Sequence, residues 1–174
     1  RATPFPYTTL FRSAGSPEKL KYAYLYGADA AYIGIKDFSL RGKADNFRDE
    51  DRETVRAVKG DRRLYCALNI YFHNGDLRRL DAGLGSLEGF PFDAFIVSDL
   101  GIVPALRKRF PSAKLHLSKK ANGTNADAAR MYRDLGFSRG ILGRDVTLEE
   151  AAENKEKNPE LEIEGFAHGA LCLA

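Results

Sequence analysis

Short apolar runs alternate with amphipathic segments along most of the chain, and this alternation predicts a strand–helix repeat. Six apolar runs of strand length begin near residues 30, 64, 93, 114, 140 and 161. Successive starts lie 21 to 34 residues apart, which leaves room for one crossover helix in each interval. The pattern therefore predicts a parallel sheet whose crossovers share one right-handed sense.

Residues with strong capping preferences mark where the intervening helices begin and end. Ser16 and Pro17 predict a helix start, because serine caps an N-terminus and proline loses no needed N–H in the first turn. Thr147 followed by Glu150 is the sequence pattern of a capping box. Predicted helices cover about residues 16–26, 49–59, 76–87, 102–110 and 124–135, and a sixth begins at 147.

Two closures fit this repeat, a (β/α)8 barrel and an open doubly wound sheet. A doubly wound nucleotide-binding sheet usually carries a glycine-rich phosphate turn after its first strand, and neither GxGxxG nor GxxxxGK[ST] occurs in the chain. The barrel is favoured, although a complete one needs about 250 residues. Six strands, with the stub of a first strand around Phe11–Ala14, predict an α/β fold that is an incomplete (β/α)8 TIM-barrel-like domain, truncated at both ends.

Residues 1–13, which read RATPFPYTTLFRS, differ in composition from the rest of the chain. They contain no Asp, Glu or Lys and two of the seven prolines. The run PYTTLFRS resembles the conceptual translation of a sequencing-adapter oligonucleotide, so we interpret residues 1–13 as a non-native leader and residues 14–174 as the domain. The alternative is a genuine extended segment that packs as an edge strand.

Composition and charge are those of a soluble globular protein, with 44% hydrophobic and 29% charged residues. The formal charge of +3 does not indicate nucleic-acid binding. It falls to 25 − 24 = +1 when Arg1 and Arg12 of the leader are set aside. Only Cys66 and Cys172 are cysteines, and no apolar run approaches the ~18–20 residues of a membrane span. A reducing, cytoplasmic location with no membrane or DNA partner is expected.

Polar residues collect where the predicted strands end, which is where barrels place their functional groups. Alternation along the last strand puts Glu162, Glu164, Phe166 and His168 on one face. An acidic side chain there needs a partner such as Arg144 or His116, a ligand, or water. A structural ion pair and a catalytic carboxylate both remain open for Glu164, whereas a histidine placed like His116 is more often a core residue than a ligand. The residues at the strand ends are Lys36, Asp37, Asn69, Ser98, Asp99, Ser118, Lys119, Lys120, Arg144, Asp145, Glu164 and His168.

The two cysteines lie in different settings. Cys66 is in the middle of an apolar strand, where a thiol packs as a small hydrophobe. Cys172 follows the last strand in the run HGALC. No second cysteine or histidine with metal-ligand spacing lies nearby, so the residues by themselves predict no metal site.

Several motifs together resemble the N-terminal half of the peptidase U32 family. They are AGSPEKLKYAYLYGADAAYIG, KDFSLRGKADNF, LNIYFHNGDL, DAFIVSDLG and HLSKKANGTN, followed by EGFAHGALC, which looks like the start of the family's signature. They run in order from about Ala14 to the last residue, and they look closest to bacterial members that hydroxylate tRNA wobble uridine. Two positions depart from the family pattern: Ser118-Lys119-Lys120 stands where Ser-Thr-Gln is frequent, and Asp145 stands where Glu is frequent.

The resemblance implies a TIM-barrel-like catalytic domain and an iron–sulfur cluster, expected to be 4Fe–4S, with Cys172 as its first ligand. It implies prephenate as the hydroxyl source, with tRNA and a second subunit of the same family as partners. Glu164 and His168 are the expected proton-transfer residues. Arg144 and the neighbouring lysines would hold anionic substrate. The full set of expected substrate contacts is Asn69, Asp99, His116, Ser118 and Arg144.

Four functions remain open from the sequence. The leading hypothesis is iron–sulfur- and prephenate-dependent hydroxylation of tRNA uridine. A collagenase-like peptidase is the alternative, although no HExxH motif or evident Ser/His/Asp arrangement supports it. A non-catalytic RNA-binding module and an inactive fragment are the other two.

Overall fold

The computed structural model describes residues 9–34, 38 and 47–167, and the chain divides into two compact units, 1–114 and 115–174. Unit 1 contains β1 (Phe11–Ala14), α1 (Pro17–Leu25), β2 (Ala30–Gly34), α2 (Arg52–Lys59), β3 (Arg63–Leu68), α3 (Asn74–Gly85), β4 (Ala94–Val97) and α4 (Val103–Arg109). β5 (Lys114–Leu117) begins at the boundary. Unit 2 continues with α5 (Ala126–Asp134), β6 (Arg139–Ile141), α6 (Leu148–Lys157) and β7 (Glu162–Glu164). Lys36 and Asp37 of the predicted polar loop lie outside the described residues.

The strands pair in parallel and in chain order within each unit, as the alternation predicts. In unit 1, Ala31 of β2 lies opposite Leu64 of β3, and strands β1 to β4 follow one another. In unit 2, β6 lies between β5 and β7, with Gly140 opposite both Leu117 and Ile163. The carboxyl ends of adjacent strands therefore lie together at one edge of each sheet.

The apolar core of unit 1 lies between its sheet and helices α1 and α2. Leu20 of α1, Val55 of α2 and Leu64 of β3 have no solvent exposure. Burying such a side chain completely is worth roughly 1.5–3 kcal/mol. This layer fixes the strands against the helices and thereby fixes the positions of the residues that follow each strand.

Side-chain caps fix the helix ends that the sequence predicts. The Ser16 hydroxyl accepts a bond from the Lys19 backbone N–H at 3.2 Å at the start of α1. At α6, the Thr147 hydroxyl accepts from the Glu150 N–H at 3.2 Å, and the Glu150 carboxylate accepts from the Thr147 N–H at 2.8 Å. The capping box is confirmed. Gly27 ends α1 at φ 84°, a left-handed conformation that costs glycine little.

Strand β1 agrees with its predicted position, whereas β6 and β7 differ from theirs. The predicted stub at Phe11–Ala14 is strand β1. Just before it, the Leu10 backbone N–H donates to the Asp29 carboxylate at 2.8 Å. The non-native origin of residues 1–13 stays a prediction. β6 begins at Arg139 rather than Gly140, and β7 is limited to Glu162–Glu164. Among the described residues no helix has the length and apolarity needed to cross a membrane.

Candidate functional site

The registers of β5, β6 and β7 align three polar side chains across unit 2. His116 lies opposite Arg139, and Arg139 lies opposite Glu162. Residues paired across parallel strands project from the same face of the sheet, and Glu164 joins this face two residues after Glu162. The sequence prediction that Glu162 and Glu164 share a face is therefore confirmed by their common partner, Arg139.

Arg139 is a buried arginine that joins the two glutamates. Its Nε donates to Glu162 Oε2 at 2.9 Å, and its Nη2 donates to the same oxygen. Its Nη1 donates to Glu164 Oε2 at 3.2 Å. A buried guanidinium is costly unless its charge and N–H groups are satisfied, and these two carboxylates supply both.

The two glutamates differ in their exposure to solvent. The side chain of Glu162 is 48% exposed, whereas that of Glu164 is only 11% exposed. Burial raises the pKa of Glu164 above its ordinary value, the Arg139 guanidinium acts to lower it, and the Glu162 charge adds a smaller increase. The net direction is upward because desolvation outweighs the arginine. A carboxyl in this state exchanges a proton closer to neutral pH than an exposed one does.

Arg139 is the residue that the sequence analysis missed. Glu164 was expected to find a partner such as Arg144 or His116, and the partner described here is Arg139. The sequence does contain a signal. Arg139 lies two positions before Ile141, so strand alternation places both side chains on the same face of β6. The parallel register that places it beside Glu162 and Glu164 is a long-range property that one strand does not reveal.

Two cations and an aromatic ring follow the strands of unit 2. Phe166, two residues after β7, is 42% exposed. The Arg144 guanidinium carbon lies 5.0 Å from the centre of its ring, and Lys119 Nζ lies 5.6 Å from it. Both distances are within the range of a cation–π interaction. Arg144, an expected substrate contact, thus stands beside an exposed ring at the carboxyl edge of the sheet.

His116 and Ser118 are buried at the end of β5, with 2% and 4% of their surfaces exposed. The Ser118 hydroxyl accepts a bond from the Lys120 N–H at 3.4 Å and so caps the short 3-10 turn Lys119–Ala121. This local role accounts for a serine at this position. Substrate contact by His116 or Ser118 stays a prediction.

Asp99 and Asn69 follow adjacent strands of unit 1. The Asp99 carboxylate accepts from Gly101 N–H at 2.8 Å and from Phe72 N–H at 3.0 Å, so it fastens the loop after β4 to the loop after β3. Both of its oxygens are used by backbone donors, which gives Asp99 a structural role. Asn69 comes directly after Leu68, the last residue of β3. Its contact with substrate also stays a prediction.

The described residues do not fit an iron–sulfur cluster. Across 9–34, 38 and 47–167, no three His, Cys, Asp or Glu side chains are grouped so that they could hold a metal ion. Cys66 is completely buried, and burial raises the pKa of its thiol well above the usual value, which disfavours the thiolate that binds iron. His168 and Cys172, the expected proton carrier and first cluster ligand, lie outside the described residues.

Comparison with known proteins relates residues 15–174 to a family model described as Peptidase family U32. The chain is 36% identical over 167 residues to "tRNA hydroxylation protein P" of Escherichia coli, covering 95% of this chain and 37% of that protein. It is 38% identical over 167 residues to "tRNA hydroxylation protein P1" of Bacillus subtilis, covering 95% of this chain and 39% of that protein. The chain thus spans well under half the length of these relatives.

A solved structure described as a U32 peptidase has the same fold. It superposes with a TM-score of 0.74 at 14% sequence identity, covering 91% of this chain and 68% of that one. The TIM-barrel-like α/β class predicted from the sequence is confirmed. At this identity the structural likeness speaks for the fold alone.

Proposed function

Because the chain belongs to the peptidase U32 family, we propose that its protein is an RNA-modifying enzyme that hydroxylates a uridine base of tRNA. The names of the aligned relatives support the reaction class. The structural observation that carries the proposal is the buried ion pair between Arg139, the first residue of β6, and Glu164, the last residue of β7, which puts the Glu164 carboxylate at the carboxyl end of its strand. This is the end at which parallel α/β barrels perform their chemistry.

Glu164 is the proposed proton-transfer residue. Replacing a ring hydrogen by a hydroxyl group releases one proton and two electrons from the base. The hydroxyl donor must take up the electrons, and a carboxylate whose pKa is raised by burial is suited to accept the proton. Arg139 holds the Glu164 carboxylate in place through its Nη1. Arg139 therefore acts as a positioning residue for Glu164. Glu162 accepts from Nε and Nη2 of Arg139 and so balances the positive charge of the arginine.

Arg144 is the proposed contact for anionic substrate, since a guanidinium binds phosphate and carboxylate with paired hydrogen bonds. Prephenate, the hydroxyl source expected from the family resemblance, and the phosphates of an RNA substrate are both such anions. The iron–sulfur cluster stays a prediction tied to Cys172, and no step is assigned to it. His168 as a second proton carrier, a second family subunit and a cytoplasmic location likewise stay predictions.

Hydroxyuridine measured in cellular tRNA tests the proposal. A strain that lacks the gene should lose the modified nucleoside in nucleoside mass spectrometry, and the wild-type gene should restore it. Glu164→Gln removes the proton-accepting group with little change in shape and should leave the modification largely unrestored. Glu153→Gln is the matched control, because its carboxylate lies on the exposed surface of α6, pairs there with Lys157 and has no proposed contact with Arg139, Glu164 or substrate.

Two results would contradict the proposal. Full restoration of hydroxyuridine by Glu164→Gln, at equal protein levels, would remove Glu164 from the chemistry. Unchanged tRNA in the deletion strain, together with cleavage of casein or collagen by the purified protein, would favour the peptidase alternative instead.

A further inference from the structure

Phe166 is an exposed aromatic side chain with two cations held against it. Phe166 is 42% exposed, so a ligand can reach its side chain from solvent. Lys119 Nζ and the Arg144 guanidinium carbon lie 5.6 Å and 5.0 Å from the ring centre. The three side chains come from the segments that follow β5, β6 and β7, so long-range folding brings them together.

The ring restricts two side chains that would otherwise be mobile. Exposed lysine and arginine each lose up to ~2 kcal/mol of rotamer freedom when a ligand immobilises them. A cation–π contact at an exposed site is worth about 0.5–1 kcal/mol, which offsets part of that loss before any ligand arrives. Phe166 therefore prepares Lys119 and Arg144 as a pre-positioned pair of positive charges.

The pair lies at the same edge as the candidate site of unit 2. Lys119 is the first residue of the 3-10 turn after β5, and Arg144 lies three residues beyond the end of β6. Phe166 lies two residues beyond Glu164, the last residue of β7. A polyanion bound to the two cations would thus pass close to the buried carboxyl that we assign to proton transfer.

We propose that Lys119, Arg144 and Phe166 form a binding site for the backbone phosphates of single-stranded RNA. This inference rests on the proposed function and specifies how the RNA is held. Sites for single-stranded nucleic acid combine cations that follow the backbone with aromatic or guanidinium planes that accept bases. An acidic peptide matches this site less well, because it offers neither tetrahedral phosphate groups nor stacking bases.

Salt-dependent RNA binding by the full chain tests the site. The probe is a fluorescent oligouridine of about 12 nucleotides, measured by anisotropy between 50 and 200 mM salt. Lys119→Gln should reduce the slope of log K against log salt by about 0.7, the value for one phosphate contact on a single strand. Lys108→Gln is the matched control, since Lys108 is an exposed lysine in the last turn of α4.

Two substitutions at Phe166 separate the role of the ring from the role of the cations. Phe166→Tyr keeps an aromatic face and should bind RNA with wild-type affinity. Phe166→Leu removes the face but no charge, and should weaken binding about 2- to 5-fold with a smaller change in slope than Lys119→Gln. Circular dichroism of each variant verifies folding, and Lys119→Gln and Phe166→Tyr still decide the question if Phe166→Leu is unfolded.

Three outcomes would overturn the site, and they are distinguishable. RNA binding by the wild type with an unchanged slope in Lys119→Gln would refute the phosphate site and leave the proposed function standing. Equal displacement of the RNA by polyglutamate would show a general polyanion surface. No RNA binding by the wild type at all would refute the proposed function together with this inference.

Discussion

Removal of Arg139 should destabilise the chain more at neutral pH than in acid. Arg139→Met keeps an unbranched apolar side chain but leaves Glu164, 11% exposed, without the guanidinium that donates to it. Breaking a buried pair by removing one partner costs about 3–5 kcal/mol. We expect about 3 kcal/mol near pH 7.5, because Glu162 is half-exposed and can regain water.

The pH dependence follows from the direction of the pKa shift. The folded-state pKa of Glu164 is above its ordinary value of 4.5, so the stability it contributes is complete in acid and is lost as pH rises through the folded pKa. Arg139 acts to lower that pKa, and its removal therefore raises it further. The difference between wild type and variant should grow with pH by at most about 1.4 kcal/mol per unit, the value for one proton.

Urea unfolding at pH 5, 6, 7 and 8 measures this difference. Arg130→Met is the matched control, because its bond to Asp127 is formed by side chains that are 59% and 82% exposed, and such pairs contribute about 0–1 kcal/mol. The double change Arg139→Met with Glu164→Gln should recover part of the loss at pH 8, since it removes the buried charge. A loss in Arg139→Met that is constant or larger in acid would refute the reasoning.

Three further predictions concern stability and reactivity. Arg62→Ala should cost about 1–2 kcal/mol in urea unfolding, because its guanidinium donates to carbonyl groups in the last turns of both α1 and α2; a neutral result would contradict this. Cys66, in a Cys172→Ser background, should react with a thiol reagent at pH 8 only after urea is added, and rapid labelling of the native chain would contradict its burial. Thr147→Ala should lower stability by about 1 kcal/mol through loss of the bond to Glu150 N–H, whereas Thr147→Ser should be nearly neutral.

Local signals were sufficient for most of the fold. The start of α1 at Pro17 and the capping box of α6 follow from residues within one helical turn, so the sequence reveals them directly. Buried strands such as β3 are recognisable as short apolar runs between turn residues. β6 begins one residue before its predicted start, because the charged Arg139 is not part of the apolar run GILG that predicts the strand.

Long-range register limited what the sequence revealed about the site. The shared face of Glu162 and Glu164 follows from strand alternation alone, and this much was predictable. Their partner depends on how β6 aligns with β7, which no property of either strand specifies by itself. The contact of Arg144 with Phe166 is likewise formed between segments that follow different strands, and spacing gives no indication of it.

As a partner in a structural ion pair Glu164 must stay ionised, whereas as a proton-transferring carboxyl it must be able to take up a proton. The geometry allows both roles. Arg139 needs a carboxylate beside its charge, and Glu162 supplies one that is half-exposed and accepts from two guanidinium nitrogens. Glu164 is bonded by only the third nitrogen and is the more buried of the two. Protonation of Glu164 therefore leaves Arg139 neutralised by Glu162. This division between the glutamates permits Glu164 to exchange a proton without exposing an unpaired buried charge.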